Sequence, residues 1–179
     1  MLVVLALGYI TFNTLRTEGP GSEGVGAGEP LPRFAAPLAD GAIEGDAQVD
    51  PKKVCGVTGP DVLNSCSLAR SGQPVALAFL ATKSKECKDQ VAVLDRVARS
   101  HPEVSFAAVG IRGAKSELAK AAAGWEIPVA HDRDGAVANL FAVAICPTIT
   151  FVRADGRVDD TSLGLIDEAE IERRIAELK

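Results

Sequence analysis

The sequence predicts an α/β fold in which a central mixed β-sheet carries helices on both faces. Residues 74–81 and 104–111 are apolar at almost every position, as in strands that are covered on both faces. Between them, residues 84–100 have helical spacing, with one apolar face formed by Cys87, Val91, Leu94 and Ala98. A strand–helix–strand order followed by a hairpin and a last helix predicts this architecture.

The part before the first buried strand is less regular. Phe34 begins a short apolar stretch that leads into a turn signal at Asp40-Gly41, so we predict a short strand there. Residues 51–72 contain two cysteines and little periodicity. We assign a short helix to residues 61–70 and interpret 51–72 as an insertion.

The part after the second buried strand alternates helices with extended segments. The predicted elements are a helix over 114–124, an extended segment near 127–128, a helix over 135–142, strands over 148–152 and 158–163, and a helix over 167–178. The turn Ala154-Asp155-Gly156 joins the two strands into a hairpin. The last helix is predicted to bury one apolar face.

Composition limits the possible partners and the compartment. The chain has 179 residues and a formal net charge of -5, and no long basic stretch occurs, so we expect no nucleic-acid partner. Four cysteines, an even number, fit a compartment in which disulfides persist.

The N-terminal region divides into two segments before the domain. Residues 1–15 are mostly apolar, but the apolar run extends only about 18 Å as a helix, against a hydrocarbon core of about 30 Å. It is predicted to be part of a membrane anchor; an atypical signal peptide or a flexible apolar tail are the alternatives. Residues 16–30 are predicted to be a flexible Gly/Pro-rich tether, and residues 31–179 form the domain. We therefore expect an extracytoplasmic protein tethered to a bacterial cytoplasmic membrane.

Two motifs carry a family resemblance. The run Phe79-Leu-Ala-Thr-Lys-Ser84-Lys-Glu-Cys87 resembles the Phe-Trp-Ala-x-Trp-Cys-x-x-Cys run of the thioredoxin-like superfamily, and Cys146-Pro147-Thr148 resembles its cis-proline motif. The membrane-anchored TlpA-type proteins and the redoxin class are the most similar members. The resemblance covers roughly residues 31–179, and it implies a thioredoxin-like fold and a cis bond before Pro147.

The chain departs from the family pattern at several motif positions. The first motif cysteine falls on Ser84, and a serine hydroxyl cannot replace a thiol in disulfide exchange. The buried acidic residue of many relatives falls on Ala78, and the two motif tryptophans fall on Leu80 and Lys83. Ser84 is predicted mainly to cap the helix that follows it. The departures argue against an ordinary dithiol mechanism.

Cys87 and Cys146 are the candidate reactive cysteines. Cys87 falls in the first turn of the predicted helix, where backbone amides and neighbouring lysines favour a thiolate, although a buried apolar role is the alternative. If Pro147 is the family's cis-proline, Cys146 faces the start of that helix. The two cysteines could then form a disulfide, either structural or redox-active, or both could stay free.

Cys55 and Cys66 are predicted to form a local structural disulfide. Alternatively, one of them resolves a sulfenic acid on a reactive cysteine. The spacing of Cys55 and Cys66 does not indicate a zinc site. We interpret His131 and its acidic neighbours as solvent-facing residues of a turn. We therefore expect neither a metal nor a cofactor.

The resulting functional hypothesis is thiol–disulfide exchange with a thiol- or disulfide-containing protein substrate. Cys87 and Cys146 replace the usual Cys-x-x-Cys pair, and Pro147, Ser84 and Thr148 are the candidate substrate-binding residues. One alternative is a redox-inactive binding module with structural disulfides. The other is a peroxiredoxin-like thiol peroxidase, which the absence of a Thr-x-x-Cys arrangement beside an arginine disfavours.

Overall fold

The computed structural model describes residues 22–70 and 72–178. The predicted apolar segment 1–15 and the first part of the predicted tether lie outside the described residues. The strands are β1 (Ala35–Pro37), β2 (Val62–Asn64), β3 (Val75–Ala81), β4 (Ser105–Arg112), β5 (Val129–His131), β6 (Thr148–Val152) and β7 (Val158–Leu163). The helices are α1 (Ser65–Arg70), α2 (Lys85–Ala98), α3 (Lys115–Ala121), α4 (Ala136–Leu140) and α5 (Glu168–Glu177).

Five strands form the central sheet in the order β5-β4-β3-β6-β7. The central strand β3 pairs in parallel with β4 and antiparallel with β6, so the sheet is mixed. The remaining two strands, β1 and β2, form a separate antiparallel pair. The predicted fold class, a mixed sheet flanked by helices, is confirmed.

Both faces of β3 are covered, which explains its continuous apolar sequence. Side chains at alternate positions, Ala76, Ala78 and Leu80, join a core cluster that includes the apolar faces of α2 and α5. The intervening Val75, Leu77 and Phe79 join a second cluster on the opposite face with β1, β2 and the start of α4. A strand at the centre of such a sheet has no solvent-exposed face on which polar residues are required.

The prediction of a helix over residues 61–70 is wrong for its first part. Residues Val62–Asn64 form β2, and only Ser65–Arg70 are helical. Pairing with β1 places Asn64 opposite Ala35, and the Asn64 Oδ1 accepts a hydrogen bond from the Cys66 amide at 2.8 Å, where the helix starts. Long-range strand pairing therefore determines a conformation that local periodicity did not reveal.

Residues 22–30, the described part of the segment before residue 31, are in contact with the domain. The amide of Gly28 donates to the Val158 carbonyl at 2.8 Å, and the Thr161 hydroxyl donates to the Val25 carbonyl at 3.1 Å. These bonds attach the described part of the predicted tether to β7, the edge strand of the sheet. An edge strand offers unpaired backbone groups that a glycine-rich chain can approach closely.

Gln90 fastens α2 to the loop between β7 and α5. Its Nε2 donates to the Ile166 carbonyl at 3.0 Å, and its Oε1 accepts from the Ile166 amide at 2.9 Å. The side chain is buried, so both backbone groups of Ile166 depend on it for their hydrogen bonds. These two hydrogen bonds, which we call the Gln90 clasp, thereby fix the position of the β7–α5 loop relative to α2.

We expect Gln90→Ala to lower the free energy of unfolding by about 2 kcal/mol, because it leaves two backbone groups without partners in a largely buried place. Urea denaturation followed by circular dichroism measures the change. Glu172→Ala, at an exposed position of α5, is the control and is expected to change stability by less than about 0.5 kcal/mol. Equal effects of the two substitutions would contradict the proposed clasp.

Candidate functional site

The register of three strands brings the sequence-predicted site together. Phe79, near the end of β3, pairs with Thr148 at the start of β6, and Thr148 pairs with Leu163 at the end of β7. The turn from β3 into α2 and the bend before β6 therefore lie at the same end of the sheet, where β3 ends and β6 begins. The candidates Ser84, Cys87, Cys146, Pro147 and Thr148 all lie at this end.

Ser84 is the N-cap of α2. Its hydroxyl accepts a hydrogen bond from the Cys87 amide at 3.2 Å and donates to the Glu86 carboxylate at 2.9 Å. The Glu86 backbone amide and then the Ser84 hydroxyl hold the pKa of Glu86 below its usual range. The Ser84 side chain thus acts in local helix capping.

Cys87 and Cys146 are joined by a disulfide, with their Cα atoms 5.6 Å apart. Cys87 lies in the first turn of α2 and is 0% exposed, whereas Cys146 is only partly buried. The Cys146 sulfur also lies 3.2 Å from the carbonyl oxygen of Phe79. The two cysteines of the pair therefore differ in exposure and in the polar groups around them.

Pro147 and Thr148 shape the bend that holds Cys146. The peptide bond between Cys146 and Pro147 is cis, and the Pro147 carbonyl accepts a hydrogen bond from the Gly164 amide at 2.9 Å. Thr148 is fully buried, and its hydroxyl donates to the Ile145 carbonyl at 2.8 Å. The hydroxyl of Thr148 therefore stabilises the bend from within.

An apolar surface that the sequence analysis missed lies beside this bend. Ile145 is 49% exposed, Leu163 40% and Leu165 60%. Ile145 precedes Cys146 in the chain, Leu163 pairs with Thr148, and Leu165 follows Gly164, whose amide donates to the Pro147 carbonyl, so the backbones of all three lie near the bend. We call them the apolar patch. The sequence carried no signal for this surface, because its exposure depends on the position of β7 at the edge of the sheet.

A lysine-lined cleft lies between the start of α2 and α3. It has a volume of about 380 Å³ and is lined by Thr82, Lys83, Lys88, Glu117, Lys120 and Ala121. The Ala114 amide and then the Thr82 hydroxyl hold the pKa of Glu117 below its usual range, with smaller contributions from the nearby lysines. The carboxylate of Glu117 therefore already accepts hydrogen bonds from other groups of the protein.

Cys55 and Cys66 form the local disulfide that the sequence predicts, with Cα atoms 5.5 Å apart. The Asn64 amide group also holds this region, since its Nδ2 donates to the carbonyls of Val54 at 2.8 Å and Val57 at 2.6 Å. β2 and Ala69 connect this region to the core cluster on the face opposite Cys87. The two disulfides thus lie against different faces of the sheet.

The expectation that His131 and its acidic neighbours face solvent is wrong for His131 and Asp132, whereas Asp134 is exposed as expected. His131 and Asp132 are both buried. The Asp132 carboxylate accepts hydrogen bonds from the amides of Val137 at 3.1 Å and Ala138 at 2.8 Å, and burial raises its pKa. Its role is to hold the start of α4. Within residues 22–70 and 72–178, no group of three or more potential metal ligands converges.

The fold and the geometry of this site define a thioredoxin-like protein, with the Ser-x-x-Cys sequence of Ser84 and Cys87 at the start of α2. Solved structures with this fold include MTB dsbF in its mixed oxidised and reduced forms, with 26% identity and a TM-score of 0.66 over 83% of this chain and 96% of that chain. A secreted Mycobacterium tuberculosis disulfide oxidoreductase homologous to E. coli DsbE has 21% identity and a TM-score of 0.62, over 80% and 95% of the two chains.

A third similar structure is the pneumococcal exposed lipoprotein thioredoxin Etrx1 from Streptococcus pneumoniae. It has 19% identity and a TM-score of 0.61, over 82% of this chain and 99% of that chain. No family model and no curated protein matches the sequence. Among the described residues, no helix combines the length and the apolar character required for crossing a membrane.

Replacement of both Cys55 and Cys66 by serine is expected to lower the free energy of unfolding by about 3 kcal/mol, because the bond closes a loop with a sequence separation of 11. Urea denaturation of the oxidised proteins measures the loss. The matched double variant at Cys87 and Cys146 opens a loop with a separation of 59 and should lose about 4 kcal/mol. Unchanged stability of the first variant would show that Asn64 alone holds the region.

Proposed function

We propose that the protein carries out thiol–disulfide exchange with a protein partner through Cys87 and Cys146. The observation that carries the proposal is the disulfide between a buried helix-start cysteine and a partly exposed cysteine before Pro147. Cys146 thus provides a second sulfur where the family's first motif cysteine is replaced by Ser84. The solved neighbours described as a disulfide oxidoreductase and a thioredoxin support the same chemistry.

Cys146 is the sulfur that reacts with the partner. A thiolate of the partner attacks the Cys146 Sγ, the Cys87–Cys146 bond breaks, and Cys87 leaves as a thiolate and takes up a proton. A second partner thiolate attacks the partner sulfur of the mixed disulfide and releases Cys146. The partner loses two electrons and gains a disulfide, while this protein becomes a dithiol; the reverse sequence reduces a partner disulfide.

The surroundings of the two sulfurs support attack at Cys146 with Cys87 as the leaving group. Cys87 lies in the first turn of the 14-residue helix α2, where the backbone amides favour a negative charge. Cys146 lies against the Phe79 carbonyl oxygen, which disfavours an anionic sulfur. Cys87 is therefore the better leaving group, and its complete burial separates it from the partner.

The apolar patch offers a docking surface for the partner. Three large side chains, Ile145, Leu163 and Leu165, are exposed beside the reactive bend. Clusters of exposed apolar side chains on otherwise polar surfaces mark interaction sites. An unfolded or extended segment of a protein substrate could cover the patch while its cysteine reaches Cys146.

The proposed setting is extracytoplasmic, with the N-terminal segment as a tether to a bacterial cytoplasmic membrane. All four cysteines are in disulfides, which persist in oxidising compartments. Two solved neighbours are described as a secreted protein and as an exposed lipoprotein. The apolar character of residues 1–15 supports the tether.

A redox-inactive binding module is the second candidate. It is favoured by the complete burial of Cys87 and by Ala78 at the position where many relatives have an acidic residue. In that case the Cys87–Cys146 bond is purely structural, and the apolar patch holds a partner without exchange.

The two candidates differ in the insulin reduction assay with dithiothreitol. The exchange proposal predicts faster insulin precipitation with the oxidised wild-type protein than with buffer, and loss of that acceleration in Cys146→Ser. The double variant at Cys55 and Cys66 is the control and should retain it. If the wild-type protein does not accelerate the reaction while a peptide still binds the apolar patch, the binding module is the correct function.

The proposed roles of the two cysteines also predict different thiol reactivities. Cys87→Ser leaves the partly exposed Cys146 free, whereas Cys146→Ser leaves the buried Cys87 free. We expect the first variant to react more than about tenfold faster with 5,5′-dithiobis(2-nitrobenzoic acid) under native conditions, because access limits the second. Equal rates after unfolding in urea are the control. Faster native labelling of Cys87 would reverse the assignment.

A further inference from the structure

The lysine-lined cleft is the feature of the site that the exchange chemistry leaves unused. Seven lysines lie in the described part of the chain, and Lys53, Lys85 and Lys115 pair with acidic side chains. The other four make no ion pair with any described residue. Three of these four, Lys83, Lys88 and Lys120, line the same cleft.

The cleft lies beside the start of α2, the helix that holds Cys87. Lys83 precedes Ser84, the N-cap of α2, and Lys88 follows Cys87 in the same helix, while Lys120 comes from α3. Glu117, the acidic residue in the lining, is held by the Thr82 hydroxyl at 3.1 Å and the Ala114 amide at 3.2 Å. The lysines outnumber it, so the cleft is locally cationic.

The local charge contrasts with the charge of the whole chain, which is -5. A chain with a net negative charge generally repels acidic partners, and a cationic cleft beside the start of α2 is a local exception. Unpaired ammonium groups on three different segments fit several carboxylates spread along a chain. The volume of about 380 Å³ accommodates a few side chains of such a segment.

We propose that the cleft formed by Lys83, Lys88 and Lys120 binds an acidic segment of the partner polypeptide and thereby selects substrates with Asp or Glu near the reacting cysteine. This inference rests on the proposed exchange function, because it specifies the class of protein substrate. The apolar patch and the cleft then recognise different parts of one partner chain.

The test separates docking from exchange. Two peptides contain the same apolar core and one intramolecular disulfide, flanked by glutamates in one and by lysines in the other. Serine versions of both peptides, labelled with fluorescein, report binding by fluorescence anisotropy without any redox step. The disulfide versions report the rate of reduction by the dithiol protein, each divided by the rate with the small neutral 2-hydroxyethyl disulfide.

We expect the glutamate peptide to bind about tenfold more tightly than the lysine peptide at low ionic strength and to lose this advantage in high salt. The triple variant Lys83→Gln, Lys88→Gln and Lys120→Gln should lose the preference in binding and in normalised rate. The charge-matched control, Lys52→Gln, Lys53→Gln and Arg96→Gln, changes exposed cations outside the cleft and should retain it.

Each outcome identifies which proposal fails. Equal binding of the two peptides, or equal loss in the cleft variant and the control, overturns the acidic-segment proposal even if both disulfides are reduced. Preferential binding of the glutamate peptide without reduction of any disulfide supports the cleft and contradicts exchange. Tighter association with phosphatidylglycerol vesicles than with the glutamate peptide, lost in the cleft variant, assigns the cleft to anionic lipid and overturns the peptide proposal.

Discussion

The antiparallel register between β3 and β6 is the constraint on which the site depends. Pairing of Phe79 with Thr148 sets the bend before β6 against the end of β3, where α2 begins. This register brings Cys146 to the buried Cys87, although the two residues are 59 positions apart in the chain. The two buried faces of β3 differ in side-chain size, with Ala76 and Ala78 on one and Leu77 and Phe79 on the other. A shift by one residue would exchange these faces and disrupt the packing of both, so the core maintains the register.

The same constraint gives the two sulfurs different environments. α2 places Cys87 in the core with backbone amides around it, whereas the bend places Cys146 at the edge of the sheet beside a carbonyl oxygen. The proposed chemistry uses this difference, since the accessible sulfur accepts the attack and the buried sulfur leaves as the thiolate. Ser84 then has a structural role, because its hydroxyl caps α2.

The long central elements could be predicted because each has a strong one-dimensional pattern. The apolar strand β3 and the amphipathic helix α2 are visible in the sequence, and the Cys146-Pro147-Thr148 motif indicated where the two candidate cysteines meet. The β2 segment could not be predicted, because its pairing with β1 is long-range. The burial of His131 and Asp132 was missed for a related reason: a polar loop sequence does not reveal that its carboxylate binds helix amides.

The exposed side chains around the site were the least predictable feature. Nothing local distinguishes Leu163 or Leu165 from core residues, because exposure depends on which strand is at the sheet edge. The cationic cleft likewise combines residues of α2, α3 and the turn before α2, and ion pairing elsewhere decides which lysines stay unpaired. These surfaces follow from topology and not from sequence spacing.

The central claim is that the Cys87–Cys146 bond is exchanged and not merely structural. The most direct measurement is a redox titration of the wild-type protein in thiol buffers, with alkylation and mass spectrometry to quantify each disulfide separately. The account predicts that Cys87–Cys146 has a reduction potential above about -300 mV, whereas Cys55–Cys66 remains oxidised at that potential. A Cys87–Cys146 bond that stays oxidised well below about -300 mV would contradict the account and identify the bond as structural.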